Sequence, residues 1–301
     1  MDQTATGKKK RLKLESDTGW GYAFIAVALI AFSLFTAYPV INAFIISLQD
    51  YRPLGSVYVG LENFRNTFTD ELFWKALKNT AVYTLATVPM NIFLSFVISI
   101  LILPFTKRTQ TFFKAIYYLP AVASGVALSV VWLWIYDPLK SGIANQIVSL
   151  FGIPNQNWLG SSSTAMFSLV LMSWLSSHGT AIIIYLAALL GIDNSYYEAA
   201  EIDGATFLQK LRYIVIPFLK PTTLFLLVTG VIGSFQVFQN AYLMTGGGPN
   251  HATTMVGLLI FYNAFTYFEF GEAAAQSLVL AAIIAFISFI QFKFLGTDVE
   301  Y

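Results

Sequence analysis

The sequence predicts an all-α integral membrane protein with six transmembrane helices and one helical loop on the cytoplasmic side. Three observations carry that prediction. Hydrophobic residues make up 56% of the chain and charged residues only 11%, whereas soluble domains carry roughly a quarter charged residues. Apolar runs of about 20 residues, the length a helix needs to cross a hydrocarbon layer, recur along the chain with polar segments between them. One of those segments, at 191–221, carries charge at helical spacing.

In chain order the runs are Tyr22–Ser47, Val82–Phe105, Ala115–Tyr136, Met166–Leu190, Thr222–Asn240 and Ala273–Leu295. None shows the alternating polar pattern of a barrel strand, so the spans are helical. The first run follows the basic stretch Lys8 to Lys13. It is too long for the core of a cleaved signal and has no small-residue cleavage pattern after it, so it reads as a retained span. This divides the chain into a basic tail at 1–20 and a six-helix transmembrane domain at 21–301 that contains the loop.

Placing the amino terminus in the cytoplasm puts twelve of the 17 basic residues on the inner side, including Lys107, Arg108, Lys114, Lys210, Arg212, Lys220 and Lys293. Arg52, Arg65, Lys75, Lys78 and Lys140 fall outside. The positive-inside rule then puts both termini and the 191–221 loop in the cytoplasm. Trp20, Tyr22, Trp74, Tyr117 and Tyr136 near span ends suit interfacial anchoring. A net charge of +1 offers no field for nucleic acid or a polyanion. The chain has no cysteine, and its two histidines, His178 and His251, are far apart, so no metal-ligand set is visible.

Local chemistry makes the loop two short helices. Ser195 and Glu198 have capping-box spacing for the first, Gly204 supplies a stop where positive φ is tolerated, and Thr206 with Gln209 repeats the capping box for the second. The second helix is expected to run until Pro217 breaks its ladder. An amphipathic connector lying in the membrane interface would share this amphipathicity.

The spacing narrows the choice. Glu198-Ala199-Ala200, Gly204 four residues on, then Ile214, Ile216 and Pro217 resemble the EAA loop of permease subunits in type I ABC importers. That pattern reads Glu-Ala-Ala, Gly, Ile, Leu-Pro, and only the Leu is changed here, to Ile216. GLENF at 60–64, YYLP at 117–120, NWLGSSSTA at 157–165 and TGGGP at 245–249 resemble further segments of the carbohydrate-importing branch, the maltose, multiple-sugar and glycerol-phosphate permeases. The resemblance implies a coupling helix docked on a separate ATPase, with Glu198, Ala199, Ala200, Asp203, Gly204 and Ala205 in the contact. It also implies a second permease chain, two ATPase subunits that bind ATP and Mg, an extracellular solute-binding protein, and a bacterial cytoplasmic-membrane location. The chain itself has no Walker A loop and is expected to be no enzyme and to hold no cofactor.

For a translocation path the spans offer neutral polarity beside aromatics. Hydroxyls and amides satisfy sugar hydroxyls, and aromatic faces stack on sugar rings. Alignment with the resembling permeases points to Ser173, Ser176, Ser177 and Thr180 in the fourth span. Chemistry and approximate alignment add Phe235, Gln236, Gln239 and Asn240 in the fifth. Interhelical hydrogen bonding is the competing role for these polar groups, packing that for Trp174, Phe235 and Phe238, and a satisfied core position that for His178. An ion-coupled secondary carrier or channel is the alternative function, but the deep spans show no Asp, Glu, Lys or Arg of the kind that marks ion routes. A membrane scaffold, the third reading, has no need of the EAA spacing.

Overall fold

The computed structural model describes residues 16–53, 55–176 and 178–296. Residues 1–15 of the expected basic tail, and Ser177, lie outside that set. Among the described residues four helical stretches are each long and apolar enough to cross a membrane, and up to six spans result if each of two bent helix pairs is one crossing.

The first stretch is a rod made of α1 (Ser16–Phe32), a π turn at Ser33–Ala37 and α2 (Tyr38–Ser47). Its apolar window has no residue buried in the chain, so lipid or another chain must cover it. A two-stranded antiparallel hairpin follows, β1 (Gln49–Arg52) with β2 (Gly55–Tyr58), pairing Gln49 with Tyr58 and Arg52 with Gly55. This short hairpin is an addition to an otherwise helical fold. The hairpin forms because the chain must reverse between α2 and α3 (Glu62–Thr69), and because buried Asn63 donates from Nδ2 to the carbonyls of Ser47 and Gln49, each at 2.9 Å.

The long helix α4 (Glu71–Ile102) starts at Asp70, whose carboxylate accepts from the backbone N–H groups of Leu72 at 2.8 Å and Phe73 at 3.2 Å. Acceptance of those orphan donors is what fixes a helix start. At about 1.5 Å per residue its 32 residues exceed the thickness of the hydrocarbon core.

The third expected span, Ala115–Tyr136, is not one helix. α5 (Lys107–Val122) and α6 (Gly125–Ile135) meet at 97°. Ala123 and Ser124 between them are extended, with ψ of 145° and 134°, and Ser124 Oγ accepts from Val126 N–H to start the second piece. α7 (Ile143–Ser149) leads to α8 (Ala165–Ser176), which continues into α9 (Gly179–Leu190) with a bend of 41°.

After α10 (Asn194–Ile202) and α11 (Phe207–Lys210) comes a second π turn, Leu211–Val215, and then α12 (Ile216–Phe235). Pro217 therefore does not end the helix as expected. It sits at the first turn of α12, directly after the π turn. Pro39 has the same place in α2 after the π turn at Ser33–Ala37. A proline lacks an N–H and its ring clashes with the carbonyl four residues back. The extra residue of a π turn re-registers the ladder where that clash would fall, so the helix passes through. α13 (Gln239–Thr245), α14 (Val256–Phe265) and α15 (Phe270–Leu295) complete the chain.

Cross-helix bonds fix directions. Asn91, Ser95 and Ser99 of α4 contact Ser173, His178 and Ile182 in turn, so α8 and α9 run parallel to α4. Ser234 bonds Thr84 while Gly230 lies against Val88, so α12 runs antiparallel to α4. The 191–221 loop therefore sits at the end of the bundle where α4 finishes, and the hairpin at the end where α4 begins.

Candidate functional site

The first site is a cavity of about 490 Å³ between α4, α8, α9 and α12. Its polar lining is Tyr83, Asn91, Ser173, Thr180, Thr229 and Ser234, and no Asp, Glu, Lys, Arg or His lines it. Asn91 Nδ2 donates to Ser173 Oγ at 3.0 Å, and Ser234 Oγ donates to Thr84 Oγ1 at 2.9 Å. The other half of the Asn91 amide, Oδ1, is buried with no partner among the described residues. Thr180 and Thr229 are exposed to the cavity space, and the latter also donates to the Phe225 carbonyl at 2.8 Å. The walls are therefore neutral, with hydroxyls, one amide and the small residues Gly230 and Gly233 among apolar side chains.

Of the residues expected along the path, Ser173 and Thr180 line this cavity. Ser177 lies outside the described residues. Ser176 is buried and accepts from Trp132 Nε1 at 3.0 Å, an interhelical bond that turns it away from the cavity. Phe235 is buried in an apolar cluster with Val256, Leu259 and Leu280. Gln236, Gln239 and Asn240 do not line the cavity, because α12 ends at Phe235 and the amides fall in the turn and in α13. Gln239 lies against Gly125, and Asn240 Oδ1 accepts from Ser129 Oγ at 3.4 Å. Packing also takes Trp174, whose Nε1 donates to the Ala86 carbonyl at 2.9 Å, and Phe238, stacked on Tyr242. His178 is buried between Ser95 Oγ and the Trp174 carbonyl.

Sequence reading passed over Asn91, Thr229 and Ser234. Asn91 carried a signal: it is the only Asn or Gln in the second apolar run, two residues after Pro89.

The second site is the loop. α10 is started by Asp193, whose carboxylate accepts from Ser195 N–H at 2.8 Å, and not by Ser195 as expected. The helix begins two residues earlier, which places Ser195 inside it and releases Glu198 from the cap. Among the described residues no hydrogen bond or ion pair reaches the Glu198 carboxylate, and the side chain is exposed. α10 ends in a Schellman turn. Ala205 N–H reaches the Ala200 carbonyl at 2.8 Å, and Gly204 N–H that of Glu201 at 3.0 Å, with Gly204 at φ +73°. Residues other than glycine adopt that φ at a cost. Thr206 and Gln209 form the expected capping box for α11.

An ion pair between Lys210 Nζ and Glu201 Oε1, 2.7 Å, closes the corner between the two helices. The hydrogen bond from Lys210 holds the Glu201 carboxyl below its ordinary range, and the bonds from Ser195 do the same for Asp193. Glu198, Ala199, Asp203 and Gly204 are exposed, and Ala200 and Ala205 half-buried. Beside them stand three exposed apolar side chains that sequence reading missed: Ile202, 88% exposed, Phe207 and Leu208.

A family model described as "Binding-protein-dependent transport system inner membrane component" matches residues 79–296. The Bacillus subtilis protein named "Probable ABC transporter permease protein YesP" is 34% identical over 303 residues, covering 99% of this chain and 97% of that one. The arabinooligosaccharides transport system permease protein AraP of the same organism is 32% identical over 278 residues, covering 92% and 88%. A chain of the bacterial alginate ABC transporter, solved in complex with alginate pentasaccharide-bound periplasmic protein, superposes with a TM-score of 0.81. The match covers 96% of this chain and 100% of that one at 24% identity, a likeness of fold.

Proposed function

Because the chain belongs to the family of binding-protein-dependent transport system inner membrane components, we propose that it is the permease subunit through which an ABC importer takes up a neutral sugar or oligosaccharide. The observation that carries the substrate class is the cavity wall, which offers hydroxyls and an amide and no charged side chain. Such groups exchange hydrogen bonds with the hydroxyls of a passing sugar, and the apolar walls receive its C–H faces. An oligosaccharide is also what AraP carries by name. The uncharged wall does not favour the ion-coupled alternative.

In this reading the chain does no chemistry. ATP and Mg are bound and hydrolysed by two separate ATPase subunits, a second permease chain completes the path, and an external binding protein delivers the solute. Both termini face the cytoplasm of a bacterial cell. The chain's own contribution is mechanical. Glu198, Ala199, Ala200, Asp203, Gly204 and Ala205 form the corner that meets the ATPase, with Ile202, Phe207 and Leu208 as its apolar contacts. The small residues let the partner surface come close, and the Schellman turn with the Lys210–Glu201 pair keeps the corner stiff. α11 runs through the π turn into α12 without a break, and α12 carries Thr229, Gly230 and Ser234 of the cavity wall. A push on the loop is thus a push on one wall of the cavity. Packed helices move as units, so the cavity changes access when ATP stabilises one packing over the other.

The test is reconstitution. With ATPase subunits, partner permease and binding protein, vesicles are expected to concentrate the sugar only when ATP is supplied. Gly204→Val is expected to abolish co-purification of the ATPase. Uphill uptake by this chain alone overturns the proposal.

A further inference from the structure

The end of the bundle opposite the loop carries a second built surface. Its base is rigid: Asn63 ties α3 to the hairpin through two carbonyls, Val59 N–H bonds the Leu48 carbonyl at 2.9 Å, and Tyr51 meets Phe270 edge-on. Gly271 sits so close to β1 that an added Cβ would lie 2.0 Å from the Gln49 carbonyl oxygen. On this base α3 buries Asn63 and Thr67 and exposes Glu62, Arg65, Asn66 and Thr69, one face at helical spacing.

That face is a ridge between two clefts. One, of about 210 Å³, is lined by Asp50, Arg52, Glu62, Asn66, Glu269 and Glu272 among others. The other, of about 610 Å³, is lined by Leu61, Glu62, Arg65, Asn66 and Thr69. Both share Glu62 and Asn66. Arg52 is paired with Asp50 at 2.8 Å and also feels the charge of Glu269, so among the described residues the first cleft sets four carboxyl groups, Asp50, Glu62, Glu269 and Glu272, against one cation. Beside the ridge stand Val57, Tyr58 and Leu61, each more than two-thirds exposed.

A rigid ridge with exposed apolar side chains and an acidic cleft is built for a partner that comes from water and brings a cation. An anionic lipid surface or an acidic polysaccharide would be repelled by the cleft. We infer that α3 and the hairpin form the docking ridge for the soluble solute-binding protein, with a Lys or Arg of that protein entering the cleft between Glu62, Glu269 and Glu272. This rests on the importer reading above, and it adds where the delivering protein binds and which side chain it must present. The mixed apolar and charged character suits a partner that arrives and leaves on each cycle.

The test uses the whole transporter in lipid nanodiscs and the binding protein that supports uptake by the wild-type complex. Stimulated ATPase activity is titrated with that protein, and basal activity is measured without it. Glu62→Lys/Glu269→Lys is expected to raise the half-saturating concentration about tenfold while basal activity stays, and added salt is expected to shrink the difference. Arg65→Glu, which makes the ridge more acidic, is expected to lower it. Half-saturation within about twofold of wild type in both variants overturns the inference, as does a loss of basal activity with half-saturation unchanged. If the wild-type complex is not stimulated at all, the importer reading fails instead.

Discussion

Asn91 of α4 and Ser173 of α8 are joined at 3.0 Å, amide donor to hydroxyl acceptor, and the pair forms part of the cavity wall. The bond satisfies one half of the amide, and among the described residues no donor reaches the buried Oδ1. A buried orphan acceptor costs about 1–3 kcal/mol, comparable with what the bond itself contributes. The two terms are of similar size and opposite sign, so the net contribution of the amide to stability is small.

Asn91→Leu keeps the branching and heavy-atom count of the amide side chain and removes both the bond and the unpaired oxygen. Thermal unfolding of the assembled transporter is expected to shift by the equivalent of less than about 1 kcal/mol. ATP-driven sugar uptake is expected to fall at least about fivefold, since one of the wall's hydrogen-bonding groups is gone. A large drop in unfolding temperature with uptake preserved per folded complex would make Asn91 a packing residue.

The loop has its own pH dependence. Asp193 and Glu201 both have carboxyls held below their ordinary range, by the Ser195 bonds and the Lys210 bond respectively. A depressed carboxyl stabilises the folded form above the ordinary carboxylate pKa, and that contribution is lost as pH falls through the depressed value. Amide protection factors in α10 are therefore expected to be flat between about pH 7 and pH 5 and to fall below about pH 4. Asp193→Asn and Glu201→Gln should each flatten part of that fall. Both groups are at the surface, and high salt is expected to weaken the Glu201 part.

The spans and the loop were legible because their signals are local. Run length gives a crossing, and Gly204 with Thr206 and Gln209 gives a turn and a cap wherever the rest of the chain lies. The 97° break between α5 and α6 was not read, although Pro120 and Ser124-Gly125 stand at it, since run length and hydropathy do not register a change of direction. Pro217 misled for a related reason: whether a proline ends a helix depends on the turn before it, and the π turn at Leu211–Val215 has no composition of its own. The cavity was half legible. Spans apolar all round do not reveal which face turns inward, so Ser173 and Ser176, three residues apart, looked alike. The bundle puts the first at the cavity and gives the second to Trp132.

Close backbone approach is the other property that run lengths hide, and Gly179 makes it testable. A Cβ there would lie 2.6 Å from the Tyr117 carbonyl oxygen and 2.7 Å from Tyr118 Cα, both main-chain atoms of α5. At Gly230 the nearest atom to an added Cβ is the Val88 methyl Cγ1, 3.1 Å away. A methyl at the end of a side chain yields by a rotation of a few degrees, but a helix backbone yields only if α5 and α9 separate. Gly179→Ala is therefore expected to destabilise the chain by about 1–3 kcal/mol, the usual cost of overfilling a packed contact, and Gly230→Ala by well under about 1 kcal/mol. Thermal unfolding of the two variants in detergent, read by tryptophan fluorescence, separates them. Equal shifts would mean that α5 is not held against α9 at Gly179, and the 97° turn that brings α5 to that contact would lose its anchor.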